Sequence, residues 1–176
     1  CVTSGPGATN AITGALCAWM DSIPMLVLSG QVRYDTTVRH SGLKIRTMGV
    51  QEYDITPSAE PMTKYAVMVT DPLTIRYHLE RAIYLAKTGR PGPCWLDLPL
   101  NVQSAIIETE DLRAYDPKED EKELPAPVTE ETVKKILEKL KQAVRPVIFA
   151  GHGIRLAGAY DSFQRLVELL GIPVVT

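Results

Sequence analysis

Apolar residues along this chain fall into short continuous runs and longer stretches spaced by three or four residues. Val2 to Ser4 reads as the end of a buried strand, and Gly5-Pro6-Gly7 breaks it. Ala8 to Asp21 carries Ile12, Leu16 and Trp19 at helical spacing, which predicts a helix with that face inward. Met25 to Leu28 is a continuous apolar run of the kind a doubly covered parallel strand shows, and Gly30 is expected to stop it. Gln31 to Gly49 is polar, with several basic residues and no period. It predicts a long loop, and loops of that length are usually functional or mobile. Gln51 to Ile55 suggests a helical turn, and Tyr65 to Val69 a strand. Pro72 opens a helix with Leu73, Ile75, Leu79, Ala82, Ile83 and Ala86 as its stripe and Gly89 at its end. Pro93 to Leu98 is a further strand.

Beyond that point the pattern changes. Glu108 to Pro127 is charged and proline-containing, and the run Lys118 to Glu123 reads as a solvated linker. A second periodic stretch starts at Thr129, an N-cap followed by acidic first-turn residues. Val133, Ile136, Leu137 and Leu140 form its stripe. Pro146 to Ala150 predicts a strand, Gly151-His152-Gly153 a turn, Tyr160 to Leu170 a helix and Ile172 to Val175 a last strand. Alternating strands and helices imply parallel α/β sheets. The expected organisation is a first domain over 1–105, a charged linker over 106–128 and the beginning of a second domain over 129–176. The strand-like opening at Cys1, without Met, and the apolar C-terminal run read as a fragment cut through folded elements.

Composition narrows the function. Of 176 residues 45% are hydrophobic and the net charge is −2, which gives no reason to expect nucleic acid or an anionic membrane as partner. No apolar run approaches the length of a bilayer span, and no signal-peptide pattern opens the chain. Cys1, Cys17 and Cys94 have no metal or disulfide spacing, so buried thiols in a reducing cytoplasm are expected. His40, His78 and His152 lack ligand spacing. Trp19 and Trp95 read as core.

The sharpest chemical feature is Ser4-Gly5-Pro6-Gly7-Ala8-Thr9-Asn10. A strand end, two glycines and a helix start let backbone approach a ligand closely, though the same residues also make a plain tight turn. The segment resembles the SGPGxTN motif of thiamine-diphosphate-dependent enzymes of the acetolactate-synthase type. Further pieces follow in the family's order: Asp21-Ser22-Ile23-Pro24, Gly30-Gln31-Val32, Gln51-Glu52 before Asp54-Ile55, Thr63-Lys64, Gly89-Arg90-Pro91-Gly92-Pro93, then Asp97-Leu98-Pro99 and Val102-Gln103. The resemblance is close over Cys1 to Gln103 and looser over Thr129 to Thr176.

What the resemblance implies is a three-layer, parallel-sheet pyrimidine-binding domain, truncated at its start, followed by the start of a Rossmann-like central domain. In that family the cofactor lies between the first domain of one subunit and the third domain of another, in homodimers or homotetramers. The proton-relay glutamate lies upstream of the SGPG motif and the magnesium motif in the third domain. No catalytic or metal-binding residue is therefore expected here, and the fragment alone should be inactive. Pro6, Asn10 and Gln51 are the implied thiamine diphosphate contacts. Ser22 and Arg90, with Gly151 and Gly153, match positions that contact FAD in flavin-binding members; Arg90 suits a pyrophosphate, but also reads as a solvated helix-end arginine. Lys64 and Val50 match positions near the substrate. The implied activity is decarboxylation and carboligation of pyruvate or a related 2-keto acid in branched-chain amino acid biosynthesis.

Two departures bear on this. The stretch from Gln31 to Gln51 is longer than is usual in the family, and Val50 stands where the family has a phenylalanine facing the substrate. A related 2-keto acid decarboxylase or carboligase, or a pyruvate-oxidase-like enzyme, is the alternative. A Rossmann-type oxidoreductase ranks lower, because Ala8-Thr9-Asn10 breaks the G-x-G-x-x-G fingerprint. A non-catalytic binding module is the remaining reading.

Overall fold

The computed structural model describes residues 1–110, 112–121 and 126–176, which form two compact units, Cys1–Pro125 and Ala126–Thr176. In the first, the chain enters beside a parallel sheet, with Val2 bridged to Ser29. Helices α1 (Pro6–Asn10) and α2 (Ile12–Met20) follow, then strand β1 (Met25–Gln31). Short helices α3 (Val38–Ser41) and α4 (Thr56–Ala59) lead to β2 (Tyr65–Met68). Helix α5 (Ile75–Lys87), β3 (Pro93–Pro99) and α6 (Leu100–Gln103) complete the framework. The strand order is β1-β3-β2, and every pairing is parallel. This is the expected α/β class. β1 runs on through Gly30 to Gln31, past the predicted stop, because β3 pairs with it along its whole length.

Each face of the sheet is covered. Cys94 and Leu96 of β3 pack with Ala82, Leu85 and Ala86 of α5. On the other face Trp95 and Val27 meet Ala8, Ala15, Ile55 and Ala59. The fully buried indole fills that layer, so the helix positions facing it are small; large opposite small is how a dense core interdigitates. This corrects the predicted stripe of the first helix. Leu16 and Trp19 are 42% and 40% exposed, and the buried positions are Ala8, Ala15 and Ala18. Trp95 is core and Trp19 is not. The α5 stripe shifts as well: Leu85 is buried beside Ala82 and Ala86, while Ile83, and Leu73 ahead of the helix, are exposed.

The predicted solvated linker is corrected over residues 112–121. Over its described part, residues 112–121 lie along α5 as a strap. Arg81 donates to both carboxylate oxygens of Asp120 at 2.9 and 2.7 Å, and the Tyr115 hydroxyl donates to the same carboxylate at 2.7 Å. Tyr77 donates to Glu119, the Tyr115 amide donates to Glu80, and Leu112 and Tyr115 are buried. Lys122 and Glu123, the end of the predicted solvated run, lie outside the described residues.

The second unit contains α7 (Glu130–Gln142), β4 (Ile148–Phe149), α8 (Gly153–Leu156), α9 (Tyr160–Leu170) and β5 (Val174–Val175). β4 and β5 pair in parallel. Thr129 caps α7 by accepting from the Thr132 amide, as its sequence predicts. Among the described residues no helix is long and apolar enough to cross a membrane.

Candidate functional site

In a parallel sheet all carboxyl ends share one edge, and in open α/β sheets ligands bind outside that edge. Here Val2 donates to Leu28 O and accepts from Gly30 N, so Thr3 to Gly5 run out beside the carboxyl end of β1. Gly5 then turns the chain with φ +52°. A Cβ at this position would lie 2.0 Å from the Gln51 carbonyl oxygen. Only glycine fits both the left-handed backbone and that approach. Gln51 itself holds φ +58°, a conformation in which a residue other than glycine is strained. The turn at Gly5, just before Pro6, therefore meets Gln51 beside the carboxyl edge of the sheet. Pro6, Asn10 and Gln51 are all exposed there, and none is charged. Val50 adjoins Gln51 and is 87% exposed. A cleft of about 670 Å³ opens along the same edge, between Ser4, Gly30, Gln31, Leu98 and Gln103.

Behind the exposed groups sits a buried polar chain. Trp95 Nε1 donates to Ser29 Oγ at 2.8 Å, and Ser29 Oγ donates to Asp97 Oδ1 at 2.6 Å. Gln31 Nε2 donates to Asp97 Oδ2 at 3.0 Å and to the Tyr53 carbonyl at 2.7 Å. Burial pushes the Asp97 carboxyl up to about 6, against the opposing pull of the Ser29 and Gln31 hydrogen bonds. Glu52 organises the long stretch before it. Its carboxylate accepts the amides of Val38, Met48 and Gly49. Arg39 bridges Asp54 and Thr56, and Asn101 holds the Tyr34 amide. The predicted loop is thus pinned from both ends.

Gln31, Glu52 and Asp97 were legible in sequence only as members of motifs. A carboxylate inside the otherwise apolar strand Cys94 to Leu98 is the signal that marks Asp97, since a buried charge needs partners.

The other residues implied by the resemblance lie elsewhere. Ser22 precedes β1, Lys64 precedes β2 and Arg90 precedes β3, at the amino edge of the sheet. With seven-residue strands that edge is roughly 20 Å from the carboxyl edge. Arg90 Nε donates to Ser22 Oγ at 2.7 Å, so this predicted pair is brought together, with Ser22 at φ +57°. Lys64 Nζ donates to the Thr88 carbonyl, and its side chain lies against Gly92. Lys64 and Val50 stand at opposite edges and are not brought together by this chain. Gly151 and Gly153 belong to the second unit, in the turn after β4; an added Cβ at either would meet nothing within 4 Å. Of the thiols, Cys94 is buried and pushed up to about 12 by desolvation, whereas Cys1 and Cys17 are exposed, contrary to the expectation of three buried thiols. Among the described residues no group of His, Cys, Asp and Glu could hold a metal ion.

Comparison with known proteins matches residues 1–53 to the N-terminal TPP binding domain of thiamine pyrophosphate enzymes and residues 133–176 to their central domain. The acetolactate synthase large subunits of Lactococcus lactis and Corynebacterium glutamicum are each 40% identical to this chain, over 99% of its length. Acetolactate synthase isozyme 3 large subunit of Escherichia coli is 36% identical, also over 99%. The chain spans 29%, 26% and 29% of these three relatives respectively.

Proposed function

We infer, from a chain that belongs to the thiamine pyrophosphate enzymes, that the protein carrying it binds thiamine diphosphate and acts on 2-keto acids in an acetolactate-synthase-like way. The observation that carries this reading is the meeting of the Gly5 turn with the Gln51 backbone at the carboxyl edge of the sheet. Pro6, Asn10 and Gln51 offer a ring, two amides and no charge. That donor set fits a neutral aminopyrimidine and does not fit a diphosphate. When bound, thiamine diphosphate supplies a carbon nucleophile and an electron sink for decarboxylating a 2-keto acid. This chain's part is to hold and orient the pyrimidine end through those residues. Its strained Gln51 backbone is consistent with a wall set for that purpose.

Magnesium and the diphosphate are assigned to parts of the protein other than this chain. The site then needs a second subunit, which makes a homodimer or homotetramer the proposed assembly. FAD is proposed at the Ser22–Arg90 pair of the amino edge, with Arg90 as the pyrophosphate partner; in the second unit, taken by itself, the Gly151 to Gly153 turn is a separate candidate nucleotide contact. Val50 is proposed near the substrate at the carboxyl edge; Lys64, at the amino edge, is proposed to reach that substrate only from a second subunit. Val50 also favours the alternative reading, a carboligase or decarboxylase of a different 2-keto acid, because it replaces an aromatic wall by a smaller side chain.

Titration of thiamine diphosphate with magnesium into this chain and into the full-length protein tests the reading. Tight binding by the full-length protein alone is the expected result. Binding by neither sinks it, and tight binding by the 176-residue chain would place the site elsewhere.

A further inference from the structure

Gln51 is exposed and strained, and among the described residues its side chain has no hydrogen-bond partner. The chain is held just after it, by the Glu52 amide on Gly49 O and by the Tyr53 carbonyl, to which Gln31 Nε2 donates. Gln31 is 4% exposed and its amide is fully used: Nε2 serves Tyr53 O and Asp97 Oδ2, and Oε1 accepts the Val32 amide at 3.0 Å. A flipped amide would set oxygen against a carbonyl and a carboxylate, and would face its NH2 to the Val32 N–H. Only one orientation satisfies all three partners. The carboxylate that dictates it is fully buried on the neighbouring strand, where Ser29 stands opposite Asp97. The second Asp97 oxygen is held by Ser29, which in turn receives Trp95.

We propose that Asp97 and Gln31 are positioning residues: Asp97 orients Gln31, and Gln31 clamps the Tyr53 carbonyl so that Gln51 is kept against the Gly5 turn. The clamp thereby sets the spacing of the two cofactor-facing walls. The cofactor part of this inference rests on the function proposed above; the clamp itself does not. Glu52 extends the effect, since its carboxylate carries the amides of Val38, Met48 and Gly49. Releasing Tyr53 therefore loosens the stretch before Gln51 as well.

The test uses the full-length protein and the variants Gln31→Met, Asp97→Asn, their combination, and Ser29→Ala. Two quantities are read: amide hydrogen exchange of residues 48–54 without ligand, and thiamine diphosphate affinity with magnesium. Gln31→Met should speed exchange in 48–54 and weaken affinity, each by about tenfold, the scale of one hydrogen bond in a charge-linked network. Asp97→Asn leaves one acceptor oxygen for two donors, Gln31 Nε2 and Ser29 Oγ, and should act in the same direction more weakly than Gln31→Met. The combined variant should lose no more than the worse single one, because both cut one connection. Ser29→Ala frees one Asp97 oxygen but leaves the one that Gln31 reaches, so it should lower the melting temperature and speed exchange in 48–54 by less than Gln31→Met does. Unchanged exchange in both Gln31→Met and Asp97→Asn overturns the clamp, whatever the cofactor does. Faster exchange with unchanged affinity overturns its role in cofactor positioning. Faster exchange in a protein that never binds thiamine diphosphate upholds the clamp and removes the functional reading instead.

Discussion

Two glycines show how far one residue's surroundings decide its worth. At Gly5 an added methyl group would overlap the Gln51 carbonyl at 2.0 Å, and φ is +52°. Gly5→Ala should therefore cost roughly 2–4 kcal/mol, about 1 from the left-handed backbone and the rest from displacing a main chain that cannot give. Gly14 lies inside α2 with nothing within 4 Å of an added Cβ, so Gly14→Ala should stabilise by about 0.5–1 kcal/mol. Urea unfolding of the two variants checks both signs. Asp97 contributes through protons rather than volume. Its carboxyl titrates at about 6 when folded, against about 3.9 in an unfolded chain. The folded state holds this proton more tightly, so the group favours folding most below about pH 4. That advantage falls away between about pH 4 and 6 and is flat above. The loss amounts to on the order of 2–3 kcal/mol. Asp97→Asn should remove this slope from a pH series of unfolding free energies, and an unaltered slope would assign it to another group.

At the scale of elements, the strap over residues 112–121 is held to α5 by the paired contacts of Asp120 with Arg81 and Tyr115. The Arg81 guanidinium holds the Asp120 carboxyl below the usual carboxylate range. This stabilisation is fully present above the unfolded carboxylate pKa and is lost as pH falls through the lowered one, so the strap should release only in acid. Asp120→Ala should destabilise by about 2–3 kcal/mol, since it strands a half-buried cation and a tyrosine hydroxyl. It should also make the segment after residue 105 sensitive to proteolysis in the native state. A variant as resistant as the parent would show that the strap does not depend on this pair. The strap also shows where sequence reading stops. Pattern alone located β1, β2, β3, α5, α7 and α9, because each is a continuous apolar run or a periodic stripe. It misread 112–121 because a segment rich in charge can dock through ion pairs and tyrosines whose partners lie some 35–40 residues away. It misread α2 because its buried face is alanine opposite Trp95, and small residues carry little hydrophobic signal. The candidate site was legible in part: the motifs picked out Gly5 to Asn10 and Gln51, but the proposed clamp depends on the register of β1 against β3.

Across the whole chain, the two units differ in what they bury. The first encloses Trp95, Ile55, Leu96 and Val69 almost completely. In the second, residues 126–176, no residue is buried, and Val133, Ile136 and Leu137 of the α7 stripe are 45%, 52% and 46% exposed. Ordering a residue costs on the order of 1–2 kcal/mol, and burial of apolar surface must offset it. Around fifty residues without a buried side chain leave that cost unmet, whatever the local propensity of a capped, salt-bridged helix such as α7. The 176-residue chain should therefore unfold in two stages. Amides of β1 and β3 should exchange only through cooperative opening of the first unit, while those of α7 and α9 should exchange faster by several orders of magnitude. Tryptophan fluorescence, with both tryptophans in the first unit, should report a single sharp urea transition, and far-ultraviolet circular dichroism an additional early loss of helix. Coincident transitions by the two probes would mean that the second unit finds its burial within this chain after all, and would overturn the division.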